Sequence, residues 1–393
     1  MRIRLVVLAA VLLVVSCGQV PRQSQVAAYR LYEAAARSDS PMVALIDTRS
    51  RSVQSRLPLG TPSPDWRHYY TVSSNELLDI DPRTGATQAR ITLPGDFQLP
   101  PATNTGLPGG LSQDGAWLVL QRFDAGSHLV VLDTTLATEP QRIDLDGNFQ
   151  FDAISNDGNK VYLIQYISAG DYHVRLYTMS VGALDPNFVI DKNEGGVAMS
   201  GLRLSGVASH DGQWLFSVYA RAHQGAFIHA LNLDNSFAFC LDLPGTGYQD
   251  GSSSSLDWSL ALSPDGNRLY ASNPAMGLVV PVDASTPKVG RAVQVADPSP
   301  VWPAGAVATG GALAIAGSTG VQWLDVGTLA ATAHVLPGWT VRSLALSPDR
   351  TTLYAVNDRG VVAELSMANR TVVSTFDPSV DHPLALMRVE AVP

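Results

Sequence analysis

Lysine is almost missing from this chain. Lys160, Lys192 and Lys288 stand beside 23 arginines, and charged residues of both signs make up only 16% of the 393 positions. Ordinary soluble domains carry about 25% charge. The deficit excludes a coiled coil or a charged helical bundle, whose outer faces need many ionic side chains. The formal net charge of −9 at pH 7 argues against a strongly basic nucleic-acid binder. Cysteine is scarcer still: Cys17 and Cys240 are too few for a disulfide framework, and they form no Cys-x-x-Cys pair. Long apolar runs are absent as well. Leu5–Val15 spans 11 residues, far short of the roughly 20 that a spanning helix needs. After residue 37 no stretch of ten or more residues holds a 3.6-residue apolar period, so long helices are not expected. What is present is 46% hydrophobic residues with 33 glycines and 25 prolines, enough for a core and for many tight turns. Composition alone leaves one large, neutral, turn-rich β protein.

The N-terminus reads as an address. Met1-Arg-Ile-Arg4 is a short basic start, and Leu5–Val15 has the length of a signal-peptide apolar region. The run ends in Val14-Val-Ser-Cys17-Gly18, which resembles the bacterial lipobox. That resemblance implies cleavage of residues 1–16, lipid attachment at Cys17, and residues 17–28 as a lipidated tether. The implied localisation is lipid-anchored at a cell membrane, facing the periplasm or the exterior. Cleavage leaves 24 Lys+Arg against 35 Asp+Glu, a formal −11. Such a body is repelled by anionic lipid, so attachment is expected from acyl chains and not from a basic patch. Cys240, inside the alternating Phe237-Ala-Phe-Cys-Leu-Asp-Leu243, reads as a small buried hydrophobe.

An internal repeat fills the remainder. A strand, a Ser-x-Asp turn, with Gly after the Asp in four of six, and a Leu/Tyr/Trp/Val-rich strand recur around Asp65, Asp114, Asp157, Asp211, Asp265 and Asp349. The steps between them are 49, 43, 54, 54 and 84 residues, and Val307-Ala-Thr-Gly-Gly-Ala-Leu-Ala-Ile315 is a degenerate copy inside the last. Steps of 42 to 54 residues fit four-stranded propeller blades. A third strand often ends in Asp, as at Asp81, Asp133, Asp283 and Asp325. Tyr29–Glu33, Met42–Asp47 and Val53–Leu59 read as the second, third and fourth strands of an incomplete unit, and His382–Glu390 can supply its inner strand. The expected fold is therefore all-β, a single propeller over residues 29–393, closed by pairing the N- and C-terminal strands. The strand tally gives eight blades, or seven if the unit around Asp65, with its poor inner strand, is not a full blade.

In its Ser-Pro-Asp-Gly-x-x-Leu-Tyr pattern (Leu262–Asn273) and in Met42–Gly60, the chain resembles the YVTN/YncE-like and WD40-like propeller repeats. The resemblance implies the fold and is nearly silent on function, because propellers host unrelated activities.

Motif searches return little. There is no His-Glu-x-x-His, Walker loop or Gly-x-Ser-x-Gly elbow. Asp144–Asp152 begins like a calcium loop but has glycine at its fourth position and Ser155 at its twelfth. The histidines are dispersed, so no metal or cofactor is expected. His210 reads as a turn residue, and Trp117 and Trp214 occupy a repeat packing position. The serine tract Gly251–Ser255 reads as a mobile loop.

Propeller geometry places the loops joining strands two and three on the same face as those linking successive blades. On that face the long segments Gln121–Ser127, Tyr166–Tyr172, Tyr219–Gly225, Asp191–Arg203 and Pro244–Asp257 carry Arg122, Asp124, Asp171, His173, Arg221, His223, Tyr248, Asp250 and Asp257. These are the candidate ligand-binding residues. The reading is a membrane-anchored binding or interaction module, with a protein or small-molecule ligand on the long-loop face. The alternative is a propeller enzyme, lactonase-like or quinoprotein-like, with clustered carboxylates and histidine in the central channel. Single-stranded nucleic-acid binding, implied for some YncE-like relatives, is opposed by the −11 charge.

Overall fold

The computed structural model describes residues 28–36, 41–102, 106–124, 126–168, 170–193, 195–251, 253–298 and 305–392. The segment 1–16, the attachment point Cys17 and all of the tether but Ala28 lie outside the described residues. Eight sheets, antiparallel except where Ile190–Asp191 runs parallel to Phe237–Asp242 at one edge, follow one another along the chain and form an eight-bladed ring. Blade 1 joins the two ends: Pro383–Ala391 is innermost, followed outward by Tyr29–Ala35, Met42–Asp47 and Ser52–Pro58. Tyr29 faces Ala391 and Leu31 faces Val389, so the closure leaves no free sheet edge at that seam.

Blade 2 has the two-residue inner strand Thr61–Pro62, yet it is a full four-stranded sheet, which settles the count at eight. The most defective inner position belongs to blade 3, where the sequence pattern had raised no alarm. Its sheet keeps only Trp117–Phe123, Ser127–Asp133 and Gln141–Leu145, and the inner place is held by the isolated bridges Gln98↔Gln121 and Leu111↔Leu118. The intervening chain includes Pro100, Pro101 and Pro108, which have no N–H to give to a ladder. Blade 4 runs outward from Phe149–Ile154 through Lys160–Tyr166 and Asp171–Thr178 to Ala183–Phe188, and blade 5 from Leu202–Ala208 through Trp214–Ala220 and Phe227–Asn232 to Phe237–Asp242. Blades 6, 7 and 8 start at Ser259–Leu262, Gly305–Ala308 and Val341–Leu346.

The repeat signature has a specific local chemistry. In each of six turns the serine hydroxyl donates to the turn aspartate, as from Ser63 to Asp65 at 2.7 Å and from Ser347 to Asp349 at 2.7 Å. The same carboxylate accepts the N–H two residues on, and the serine oxygen accepts the N–H at the start of the next strand. One motif thus satisfies the whole hairpin. The aspartates that end third strands do the same for the following turn, Asp325 accepting from the N–H groups of Gly327 and Thr328.

Between blades the sheets meet face to face. Eight buried clusters lie one at each blade interface, so strands are apolar on both sides and few positions remain for charge. Trp117 lies over the turn of blade 4, where a Cβ on Gly158 would stand 2.2 Å from the indole. Trp214 packs among Phe216, Phe237 and Phe239. His210 packs against the turn glycine Gly266 of the next blade. The tyrosine five residues after a turn aspartate reaches across the gap: Tyr70, Tyr162 and Tyr270 donate to the carbonyls of Thr134, Leu233 and Val326 in the following blades.

Candidate functional site

The proline-broken inner segment of blade 3 leaves space against blades 4 and 5 on the long-loop face. A cavity of about 610 Å³ opens there, lined by Pro101 and Ala102 of that segment, Gln150, Phe151, Tyr166, Tyr172 and Ser200 of blade 4, and Leu202, Arg203, Tyr219 and Arg221–Gln224 of blade 5. Tyr248, from the link to blade 6, completes the wall.

Four of the nine sequence-nominated residues line this cavity: Asp171, Arg221, His223 and Tyr248. Arg221 donates Nε–H to the Gly225 carbonyl at 2.7 Å, pairs with Asp242 at 2.6 Å, and lies over the Phe227 ring. His223 meets Asp250 through Nδ1 at 3.0 Å, so Asp250 joins the rim through its partner. Asp171 accepts the Ser168 hydroxyl at 2.9 Å.

The remaining nominees lie elsewhere. Arg122 belongs to the strand Trp117–Phe123 and Asp171 and His173 to the strand Asp171–Thr178, so these three are not loop residues; the ladders extend further than the turn signals suggested. His173 stacks on Phe188 at 4.5 Å. Arg122 pairs with Asp124 at 3.1 Å, and Asp124 meets His128 at 2.8 Å. His128 also contacts Asp144 at 2.5 Å, which gives two carboxylates converging on one histidine. This is the grouping that an enzyme site needs, but it sits between the third and outer strands of blade 3 and not at the ring axis. Asp257 precedes the inner strand of blade 6 and does not line the cavity; burial pushes its carboxyl up to about 7. The neighbouring serine tract is not a free loop, because Ser253–Leu256 form a 3-10 turn with Ser255 buried.

The floor is built from residues that loop length does not nominate. Asp152 of blade 4 and Arg203 of blade 5 pair at 2.9 Å across the interface, the carboxylate side chain only 1% exposed. Tyr172 and Tyr219 stand beside this pair with ring centroids 5.7 Å apart. Both are buried, and the Tyr219 hydroxyl meets that of Tyr172; Arg203 Nε and Ser217 Oγ have no hydrogen-bond partner among the described residues. Burial raises both phenols above their ordinary value and holds His229, on the next strand from Ser217, below its own. A signal was present: Asp152 in Phe-Gln-Phe-Asp-Ala-Ile and Arg203 in Leu-Arg-Leu put charges where an inner strand alternates toward a blade interface. Among the described residues, no group of three or more His, Cys, Asp or Glu side chains is arranged to hold a metal ion.

No protein-family profile matches the chain, and no curated protein does. Solved structures do. The dihydro-heme d1 dehydrogenase NirN, in complex with DHE, superposes with a TM-score of 0.58 at 15% identity, covering 93% of this chain and 75% of its own. AztD from Citrobacter koseri, in its apo form, superposes with a TM-score of 0.57 at 13% identity, covering 93% and 98%. At such identity the likeness is one of architecture. The chain has the eight-bladed β-propeller fold that these proteins share.

Proposed function

We propose that this chain is a lipid-anchored, extracytoplasmic propeller that binds a small molecule in the cavity of blades 3 to 5. The observation that carries the reading is the coincidence of an interrupted inner strand with a polar floor. The fold leaves a space of ligand size there, and the side chains around it come from three rigid blades.

The anchor fits this arrangement. Tyr29 begins a second strand, so it starts at the Asp-Gly turn face; its hydroxyl donates to the turn residue Asp349 at 2.7 Å and its N–H to Thr48 at 2.9 Å. A lipid on Cys17 would hold that face toward the bilayer and leave the cavity pointing away from it. The acidic body would add no attraction of its own. Two measurements test the reading. A crystallographic fragment screen should cluster its hits in this cavity; hits confined to the grooves of the turn face, or to no common place, would sink it. Cys17→Ser should release the protein from membranes in cell fractionation, and retention of that variant would refute the anchor.

A further inference from the structure

A groove on the turn face, between blades 2 and 3, holds a pair of side chains that the fold does not require. Opposite the residue five positions after the turn aspartate, most blades place an apolar side chain: Val131, Leu176, Ala230 and Pro281 in blades 3 to 6. Blade 8 has Glu364, which accepts the Ser374 hydroxyl. Blade 2 has Asp79, opposite Tyr70, with its side chain only 5% exposed. A carboxylate there costs stability, and burial pushes its pKa up. Asp79 meets His68 Nδ1 at 2.8 Å. The turn fixes the backbone of His68, whose N–H donates to Ser63 Oγ and whose carbonyl accepts the Ser63 N–H. A carboxylate behind Nδ1 keeps the proton on that nitrogen, so the neutral imidazole turns an Nε2 lone pair outward. The ring is 42% exposed, and Nε2 has no partner among the described residues.

The groove has a volume of about 600 Å³ and is lined also by Asp65, Asp114, Thr134 and Thr135. Its hydroxyls are spent: Ser63 donates to Asp65, Tyr70 to the Thr134 carbonyl, Thr134 to the Gly115 carbonyl and Thr135 to Asp133. The Ser63 hydroxyl and the Arg67 N–H hold the Asp65 carboxyl below its ordinary value, so it is ionised at neutral pH. No lysine or arginine lines the groove, and Arg67, 3.7 Å from Asp65, stands in solvent. An anion is repelled here, whereas a cation with N–H groups finds acceptors and uncompensated negative charge.

We infer that this groove binds an organic ammonium, one N–H of which donates to His68 Nε2 while Asp65 and Asp114 meet its charge. Asp79 is a positioning residue: buried behind the ring, it sets which nitrogen carries the proton. The site is separate from the cavity of blades 3 to 5 and lies on the opposite face of the ring.

The test reads the histidine nitrogens by long-range proton–nitrogen NMR of the full folded protein at about pH 8, where an imidazole of ordinary basicity is neutral. His68→Phe, which keeps a flat ring beside Tyr70, identifies the signal. Without ligand, His68 should carry its proton on Nδ1; a proton on Nε2 would overturn the inference at once. Benzylammonium should shift Nε2 and bind at least about threefold more tightly than benzyltrimethylammonium, which has the same charge and no N–H to donate. Benzoate should leave the signal unmoved. Equal or tighter binding of the trimethyl probe, a response to benzoate alone, or absence of all three probes at millimolar concentration would each sink the site. Asp79→Leu installs the side chain that blade 4 carries at this place, so the fold should tolerate it. With the proton no longer held on Nδ1, the preference for benzylammonium over the trimethyl probe should shrink toward none. Lost charge alone would weaken both cations alike, and an unchanged preference would refute the role given to Asp79. A fragment screen that misses the cavity of blades 3 to 5 has no bearing on this groove, and loss of the groove has none on the cavity.

Discussion

Glu33 lies in the second strand of blade 1 with no exposed surface, opposite Ala44 on one side and Leu386 of the closing strand on the other. Neither carboxyl oxygen has a hydrogen-bond partner among the described residues. Burial alone pushes the group from 4.5 up to about 8, so it is protonated at neutral pH. The unfolded chain releases this proton near pH 4.5, and the folded protein holds it until about pH 8. Stability from this residue is therefore fully present below pH 4.5 and declines as pH rises through the window to about 8. Each pH unit in the window removes about 1.4 kcal/mol, so roughly 3 kcal/mol should be lost between pH 5 and pH 7.5. Glu33→Gln cannot titrate. Urea denaturation of the two proteins across that range should give curves that diverge by this order, the wild type losing more. Parallel curves would refute the argument, because they would mean that Glu33 is ionised in the fold or reached by water. Glu33→Leu should be more stable than wild type at pH 7.5, since it removes an unpartnered polar group without opening a large cavity.

Other consequences follow from the blade interfaces. Gly158 has φ +69° and its missing Cβ would meet the Trp117 indole, so Gly158→Ala should cost about 3 kcal/mol, with part of the loss recovered by adding Trp117→Leu; a neutral alanine in thermal denaturation would contradict the packing described. Tyr162 donates to Leu233 at 2.6 Å and shares a hydrogen bond with Ser236 at 2.8 Å. Tyr162→Phe should therefore lower stability by about 1–2 kcal/mol, and an unchanged urea midpoint would show that the cross-blade bond contributes nothing. Asp349 is held down to about 2, first by the Tyr29 hydroxyl and then by Ser347. Its contribution is present above pH 3.8 and is lost as pH falls toward 2. Asp349→Asn should flatten the acid limb of the melting temperature, and an unchanged limb would show that the Tyr29 contact does not stabilise the closure.

Much of the ring was legible because its signals are local. Ser-x-Asp states a hairpin through atoms within six residues of one another, and the tyrosine five residues after the aspartate bonds a carbonyl of the next blade in three units. The pairing of Tyr29–Ala35 with Pro383–Ala391 could be anticipated by elimination, since one unit lacked an inner strand. The candidate site was legible only in part. The rim residues Asp171, Arg221, His223 and Tyr248 were nominated from loop length, a fair guide to exposure. Arg122, Asp124, His173 and Asp257 were nominated by the same rule and lie away from the cavity, because loop length says nothing about which blades the loops face.

The sequence by itself determined the class, the repeat, the turn face and the closure, since each depends on contacts that one unit makes with itself or with a vacancy in the tally. Only the tertiary structure decided where the ring is incomplete and what fills the gap. The prolines of 100–108 interrupt the inner strand of blade 3 between its bridges at Gln98 and Leu111, and Asp152 meets Arg203 from residues 51 positions apart. Tyr172 of blade 4 meets Tyr219 of blade 5 only because the two sheets stack there. Hydrogen bonds within a hairpin are written in consecutive residues; the polarity of an interface between two sheets is a property of both, and it exists only once they are packed.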